Sequence, residues 1–224
     1  MTPALESREV SRRFGRRWAL RRVSLVFAPG TVTAIVGDNG AGKSTLLQIL
    51  AGFVRPSEGE VLAFDTPLGA FPPRDVRRRM AVLAHAPGIY PDLSGRENLV
   101  FFSRFHERPG AGRCSEVGQT LARLGLEDAA DRPVRTYSRG MIQRLALGRV
   151  LLQEAELWLL DEPTTGLDAS GTQLLAGLIA SARAAGRTVV AVTHDLPALG
   201  PAVDRVVRLT QGRLVSDGPN GAPA

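Results

Sequence analysis

The chain's pattern predicts an α/β fold with a mainly parallel central sheet, on three observations. Short apolar, β-branched runs alternate with helical segments along most of the 224 residues, the order expected of parallel strands joined by crossover helices. One such run, Val32–Val36, feeds a glycine-rich loop that opens onto a helix. Another, Leu157–Leu160, ends in two adjacent carboxylates, Asp161 and Glu162.

Taken from the N-terminus, Glu9–Phe14 and Leu20–Phe27 read as two strands, and Ala28-Pro29-Gly30 as the turn before the Val32–Val36 strand. A helix is expected over Lys43–Ala51, carried by Leu46, Leu47, Ile49 and Leu50. Residues 52–59 are turn-rich, Glu60–Phe64 is strand-like, and Met80–Ala84 is a buried strand ending at His85. From Ser94 to about Asp131 the period turns helical. Ser94 and Glu97 fit a capping box, Leu99, Phe102 and Phe105 share a face, Pro109–Gly112 breaks the run, and Val117, Leu121 and Leu124 resume it. This stretch is expected to be a helical insertion between two parts of the sheet. A helix over Met141–Gln153, the Leu157–Leu160 strand, a helix over Ser170–Arg183 and a strand over Thr188–Val192 follow. Val203–Leu209 and Arg213–Ser216 are the last short strands, and Gly218–Ala224 is expected to fray.

Composition narrows the class. Apolar content of 44% and charged content of 22% are those of a soluble globular protein, and the length supports a full core. No apolar run reaches the 18 or so residues that span a bilayer, and the first residues do not resemble a signal peptide, so a cytoplasmic location is expected. The single cysteine, Cys114, excludes an internal disulfide. Net charge is +6, with arginines grouped at 12–13, 16–17, 21–22 and 77–79. Such groups can meet nucleic acid or anionic lipid. Here they are short, scattered and not interleaved with aromatics, and read as solvated surface; no nucleic-acid partner is expected.

The chemistry begins at Gly37-Asp38-Asn39-Gly40-Ala41-Gly42-Lys43-Ser44-Thr45, which fits G-x-x-x-x-G-K-[ST], the loop that wraps nucleotide phosphates. Glycines let successive backbone N–H groups turn inward into an anion-binding nest. Lys43 would reach the outer phosphates as a point charge, the Ser44 hydroxyl suits Mg²⁺, and the helix N-terminus adds its positive dipole end. Lys43 is also the only lysine among 28 Lys and Arg residues. Asp161, at the tip of a parallel strand, would hold Mg²⁺, and Glu162 beside it would polarise the attacking water as a general base.

In the order of these elements, the chain from about Leu5 to Ser216 resembles the ATP-binding subunits of ATP-binding-cassette (ABC) transporters. Tyr137-Ser138-Arg139-Gly140-Met141 is similar to that family's signature segment, Gly166-Leu167-Asp168 to its D-loop, and Thr193-His194-Asp195 to its switch histidine. Phe14 falls where an aromatic residue stacks on adenine. The resemblance implies a P-loop NTPase of ABC type: a single domain over 1–217 with an N-terminal antiparallel β part, a helical subdomain over about 86–155, and a flexible tail over 218–224. It also implies ATP and Mg²⁺ as ligands and a homodimer that forms on ATP binding. Ser138 and Gly140 of one subunit would then grip the nucleotide on the loop of the other, Asp168 would link the two sites, and His194 would hold the geometry around Glu162.

Two positions depart from the family pattern. Arg139 and Met141 stand where Gly and Gln are usual, while Ser138 and Gly140 are kept. His85 stands where a glutamine usually contacts Mg²⁺ or water, and it reads equally as packing or as sensing. The stretch 85–99 and the segment 137–145 resemble the ATP-binding subunit of heme exporters of cytochrome c maturation. The expected partners are therefore integral membrane permease subunits, with this chain peripheral on the cytoplasmic face. Other exporters, of drugs, lipids or polysaccharides, share such signatures but often carry a further C-terminal domain. A soluble ABC factor in repair or translation is the remaining alternative, disfavoured by the single cassette and the absence of heptads.

Overall fold

The computed structural model describes residues 2–69, 72–104 and 113–221. The expected Phe105 contact and the Pro109–Gly112 break lie outside the described residues, as does the side chain of Cys114. The chain forms two sheets and six α-helices among the described residues. One sheet is antiparallel, in the order β2-β1-β4-β5, from β1 (Leu5–Phe14), β2 (Arg17–Phe27), β4 (Glu58–Ala63) and β5 (Thr66–Pro67). The other is six-stranded, in the order β10-β9-β3-β8-β7-β6. It comprises β3 (Val32–Val36), β6 (Met80–Leu83), β7 (Leu157–Asp161), β8 (Thr188–Val192), β9 (Arg205–Thr210) and β10 (Arg213–Pro219). All its pairings are parallel except β9–β10. This is the P-loop fold with a mainly parallel sheet and an antiparallel β part.

The buried strands have no polar face because both sides of the parallel sheet are covered. With side chains alternating along a strand, Leu157 and Leu159 of β7 enter one core, and Trp158 and Leu160 enter the other. The first core lies between the two sheets and encloses helix α1 (Lys43–Leu50), whose Leu46, Ile49 and Leu50 are almost wholly buried. Each such side chain contributes about 1.5–3 kcal/mol relative to exposure. The second core is closed by α3 (Gly95–Ser103), α4 (Arg113–Arg123), α5 (Arg139–Gln153) and α6 (Ala169–Ala184). Helices α3 and α4 of the expected insertion pack on one another and on α5, which follows it. The capping box is present in both directions: Ser94 Oγ accepts from the Glu97 N–H at 3.1 Å, and Glu97 Oε2 accepts from the Ser94 N–H at 2.8 Å.

Several elements differ from expectation for physical reasons. β1 begins at Leu5 rather than Glu9, because Leu5–Ser7 pair with both β2 and β4, partners distant in sequence. A short helix, α2 (Arg74–Arg78), and the two-residue β5 are too brief to show a period. The expected frayed tail starts too early at 218: Gly218 pairs with Val206 and Pro219 with Arg205 in β10, and the Asn220 N–H donates to the Asp204 carbonyl at 2.8 Å.

Candidate functional site

Four neighbouring parallel strands deliver the candidate residues to one edge. β3 runs into the glycine-rich loop, β7 ends in Asp161 and leads to Glu162, β8 leads to Thr193 and His194, and β6 leads to His85. These are carboxyl ends, where the loops of an open α/β sheet splay apart and hold ligands.

The loop takes its shape from its glycines. Gly42 caps α1 in the left-handed region (φ 99°, ψ 5°), and a Cβ there would sit 2.5 Å from the Ala19 carbonyl oxygen. Gly37, at φ 149°, has no room either: its Cβ would lie 2.1 Å from the Leu209 carbonyl oxygen. The loop is anchored behind, where the Gly212 N–H donates to the Ala41 carbonyl at 3.0 Å. Lys43 is buried, and its ammonium donates to the carbonyls of Gly37 (2.7 Å) and Asp38 (3.1 Å). A buried cation needs such partners, and these two hold it across the loop's concave side.

Facing the loop is a chain of acids. Ser44 Oγ donates to Asp161 Oδ1 at 3.0 Å, joining the start of α1 to the end of β7. Asp161 is buried, and that burial raises its pKa above the ordinary aspartate value, against the opposing Ser44 bond and the nearby His85 and Lys43. A buried carboxylate held in this way suits a divalent cation, whose charge would replace the lost hydration. The donor set of a hydroxyl and a carboxylate is the oxygen chemistry of Mg²⁺.

Glu162 follows with a left-handed backbone (φ 48°), costly for a residue with a Cβ, and fixed by its N–H donating to the Val192 carbonyl at 2.9 Å. Its Oε2 lies 2.7 Å from His194 Nδ1. An ionised carboxylate only accepts, so this contact selects the tautomer with the proton on Nδ1 and leaves Nε2 to the exposed side of the ring. The carboxylate is largely covered, its side chain 15% exposed against 66% for the histidine.

Lys43, Ser44 and Glu162 open into one cleft of about 550 Å³, to which Asp161 and His194 are joined through Ser44 and Glu162 without lining it themselves. Phe14, Asn39, Gly40, Gly42, Lys43, Ser44, Thr45, His85 and Glu162 all line it. His85 therefore faces the site rather than the core. Phe14 stands half exposed at the margin, with the Arg12 guanidinium 4.6 Å from its ring centre. The glycine cradle, the buried cation and the Ser44–Asp161 pair together fit a nucleotide phosphate chain with Mg²⁺.

Ser138, Gly140 and Asp168 do not line this cleft. Ser138 is the N-cap of α5, its Oγ accepting from the Met141 N–H at 3.2 Å. Gly140 packs against the next loop so closely that a Cβ would lie 2.8 Å from the Gly166 carbonyl oxygen. Asp168 caps α6, accepting from the Gly171 N–H at 2.7 Å, and that bond holds its pKa below the ordinary value.

Several contributors to the site carry no motif in the sequence. Arg17, Trp18 and Ala19 of β2 also line the cleft. Buried Gln143 of α5 donates from Nε2 to the Pro163 carbonyl at 3.0 Å, tying the helix behind Ser138 to the residue after Glu162. The only sequence signal for Gln143 was a polar residue at a core-facing helical position.

Residues 20–165 match the family model described as ABC transporter. The cytochrome c biogenesis ATP-binding export protein CcmA 2 of Cupriavidus metallidurans is 40% identical over 202 residues, 89% of this chain and 94% of that protein. The hemin import ATP-binding protein HmuV of Bradyrhizobium diazoefficiens is 37% identical, over 98% of this chain and 84% of its own length. A fluoroquinolones export ATP-binding protein of Mycobacterium tuberculosis is 36% identical over 88% of this chain, which spans only 64% of that protein. Among solved structures, the dimeric bacterial ABC transporter cassette MJ0796 superposes with a TM-score of 0.88 at 25% identity, covering 98% of this chain and all of that one. Its dimeric post-hydrolysis state, bound to ADP and Pi, gives 0.85 at 27%, with the same coverage.

Proposed function

This chain belongs to the ABC transporter family and is one of its ATP-binding, ATP-hydrolysing subunits; from that premise we propose that it powers export through separate membrane subunits, of the heme-export type that serves cytochrome c maturation. The observation that carries the site assignment is the joined set Lys43, Ser44–Asp161 and Glu162–His194, of which Lys43, Ser44 and Glu162 line one cleft.

In this reading the loop residues Gly37–Thr45 and Lys43 bind the phosphates, and Phe14 stacks on the base. Ser44 and Asp161 hold Mg²⁺, which when bound screens phosphate charge. Glu162 takes the proton of the attacking water. His194 is oriented by that carboxylate and presents Nε2 toward the terminal phosphate. His85 faces the same cleft from the loop after β6 and is assigned to sensing rather than to packing.

Ser138 and Gly140, absent from the cleft of their own chain, serve the cleft of a second copy, as the helix N-terminus of α5 suits an anion. The dimeric relatives support that assembly. Asp168, beside them, links the paired sites. ATP closes the pair and hydrolysis reopens it, and the membrane subunits convert the difference into transport. Among the described residues no helix is long and apolar enough to cross a membrane, which fits a peripheral subunit on the cytoplasmic face.

Heme export rests on the near full-length similarity to the cytochrome c biogenesis protein and on segments 85–99 and 137–145. A drug exporter is the second reading, favoured by the similarity to the fluoroquinolone exporter. Deleting the gene and staining for covalently bound heme separates them. Heme export requires loss of c-type cytochromes, restored by the wild-type chain and not by Glu162→Gln. Undiminished c-type cytochromes would discard it.

A further inference from the structure

Three of the arginines that read as scattered surface in the sequence, Arg16, Arg17 and Arg21, assemble with Arg213 beside the phosphate loop. Arg16, Arg17, Arg21 and Arg213 line a groove of about 790 Å³, walled also by Asp38–Ala41 of the loop and by Thr210 and Gln211 of the β9–β10 turn. It adjoins the nucleotide cleft, sharing Arg17, Trp18, Asn39 and Gly40 with it, while Arg16, Arg21 and Arg213 line the groove alone.

Several arginines elsewhere have carboxylate partners, as Arg22 with Glu9, Arg79 with Glu156, Arg183 with Asp204 and Arg205 with Asp217, and others, such as Arg12, Arg77, Arg144 and Arg149, donate to backbone carbonyls. In the groove the four guanidinium groups have no hydrogen bond or ion pair among the described residues, and Asp38 is the one acid on its walls. The walls are fixed to one another. The Arg21 N–H donates to the Gly212 carbonyl at 2.8 Å, and the Gly212 N–H to the Ala41 carbonyl at 3.0 Å, so β2, the β9–β10 turn and the phosphate loop hold one arrangement.

A concave surface with one sign of charge concentrates field and counter-ions. Guanidinium forks match phosphate oxygens two at a time, which a compact multi-phosphate anion would satisfy from several sides at once. A flat anionic surface would meet only the rim. We infer that this groove is an anion site separate from the nucleotide cleft, and that it takes a compact ligand with two or more linked phosphate groups, drawn from solution or offered by a lipid headgroup.

The test uses the full chain with its nucleotide cleft filled by saturating ADP. Tripolyphosphate is titrated by calorimetry, and vesicles containing cardiolipin are compared with phosphatidylcholine vesicles by co-sedimentation. At least one probe should bind the ADP-loaded protein. The double variant Arg21→Gln/Arg213→Gln, which changes no residue of the nucleotide cleft, should weaken that binding by roughly tenfold and leave ADP affinity and thermal melting unaltered. Arg16→Gln/Arg213→Gln should do the same, guarding against a fold defect in one variant. Tripolyphosphate binding identifies a soluble ligand, and cardiolipin binding alone identifies a headgroup. The inference is overturned if neither probe binds the ADP-loaded protein, or if both variants bind like the wild type. A failure of ADP itself to bind would count against the nucleotide cleft, and the groove would then be read from the two arginine variants, which alter only the groove.

Discussion

Gly42→Ala and Gly40→Ala separate two costs that the phosphate loop combines. Both glycines have positive φ, 99° and 79°. An added methyl group in the left-handed region costs about 1–2 kcal/mol at either site. At Gly40 nothing lies within 4 Å of the added Cβ, so that is the whole effect. At Gly42 the Cβ meets the Ala19 carbonyl oxygen at 2.5 Å and Leu20 Cδ2 at 2.9 Å. The methyl group must retreat by about an ångström to reach ordinary van der Waals separation. The obstacle is β2 backbone, which is held in its sheet, so the loop has to move. Overpacking of this kind adds about 1–3 kcal/mol.

Gly42→Ala should therefore lose about 2–5 kcal/mol in urea denaturation and Gly40→Ala about 1–2 kcal/mol. Displacing the loop that positions the phosphates should also reduce hydrolysis by about a hundredfold in Gly42→Ala, as a 1 Å misplacement does. Equal stability of the two variants would refute the argument from the Ala19 carbonyl. Normal hydrolysis by Gly42→Ala would refute the rigidity assigned to the loop.

Other outcomes follow from single contacts. Gln143→Leu removes the donor to the buried Pro163 carbonyl and should cost about 1–3 kcal/mol, with hydrolysis falling while nucleotide affinity holds; unchanged turnover would make the contact merely structural. Asp161, its pKa raised by burial, binds its proton more tightly folded than unfolded, so in metal-free buffer its contribution destabilises the fold as pH rises from the ordinary aspartate value through the raised one. Asp161→Asn should thus gain stability over wild type with rising pH in EDTA, by urea denaturation at a series of pH values, and a gain independent of pH would contradict this. Ser138→Arg and Lys43→Ala should each abolish hydrolysis alone and regain it on mixing, since one composite site of the mixed dimer is then intact; a mixture as inactive as its parts would remove the head-to-tail arrangement.

The parallel sheet and its site edge were legible because their signals are local. Val32–Val36, the glycine-rich loop and Lys43 are contiguous, and Asp161 and Glu162 directly follow an apolar run. The two faces of β7 were not separable in sequence, since burial on both sides erases alternation. What escaped is set by distant partners. Polar residues such as Glu6 and Arg8 lie in β1 because β2 and β4 supply its ladder, and Arg8 pairs with Glu60 from β4. Trp18 and Arg17 reach the cleft only because β2 folds back beside the phosphate loop. Arg21 and Arg213 are far apart in the chain and meet because the Gly212 turn bonds to both Arg21 and Ala41. The His194–Glu162 contact spans adjacent strand ends; no spacing rule announces it, and the family resemblance alone implied that His194 acts around Glu162.

The central claim is that Glu162 activates water in a cleft completed by a second copy. It is tested most directly by Glu162→Gln, measuring ATP hydrolysis and following the oligomeric state by size-exclusion chromatography with ATP and Mg²⁺ present. The account predicts that turnover is lost while ATP binding persists and a stable ATP-bound dimer accumulates. Wild-type turnover by the variant, or a monomer that binds ATP without pairing, would contradict it.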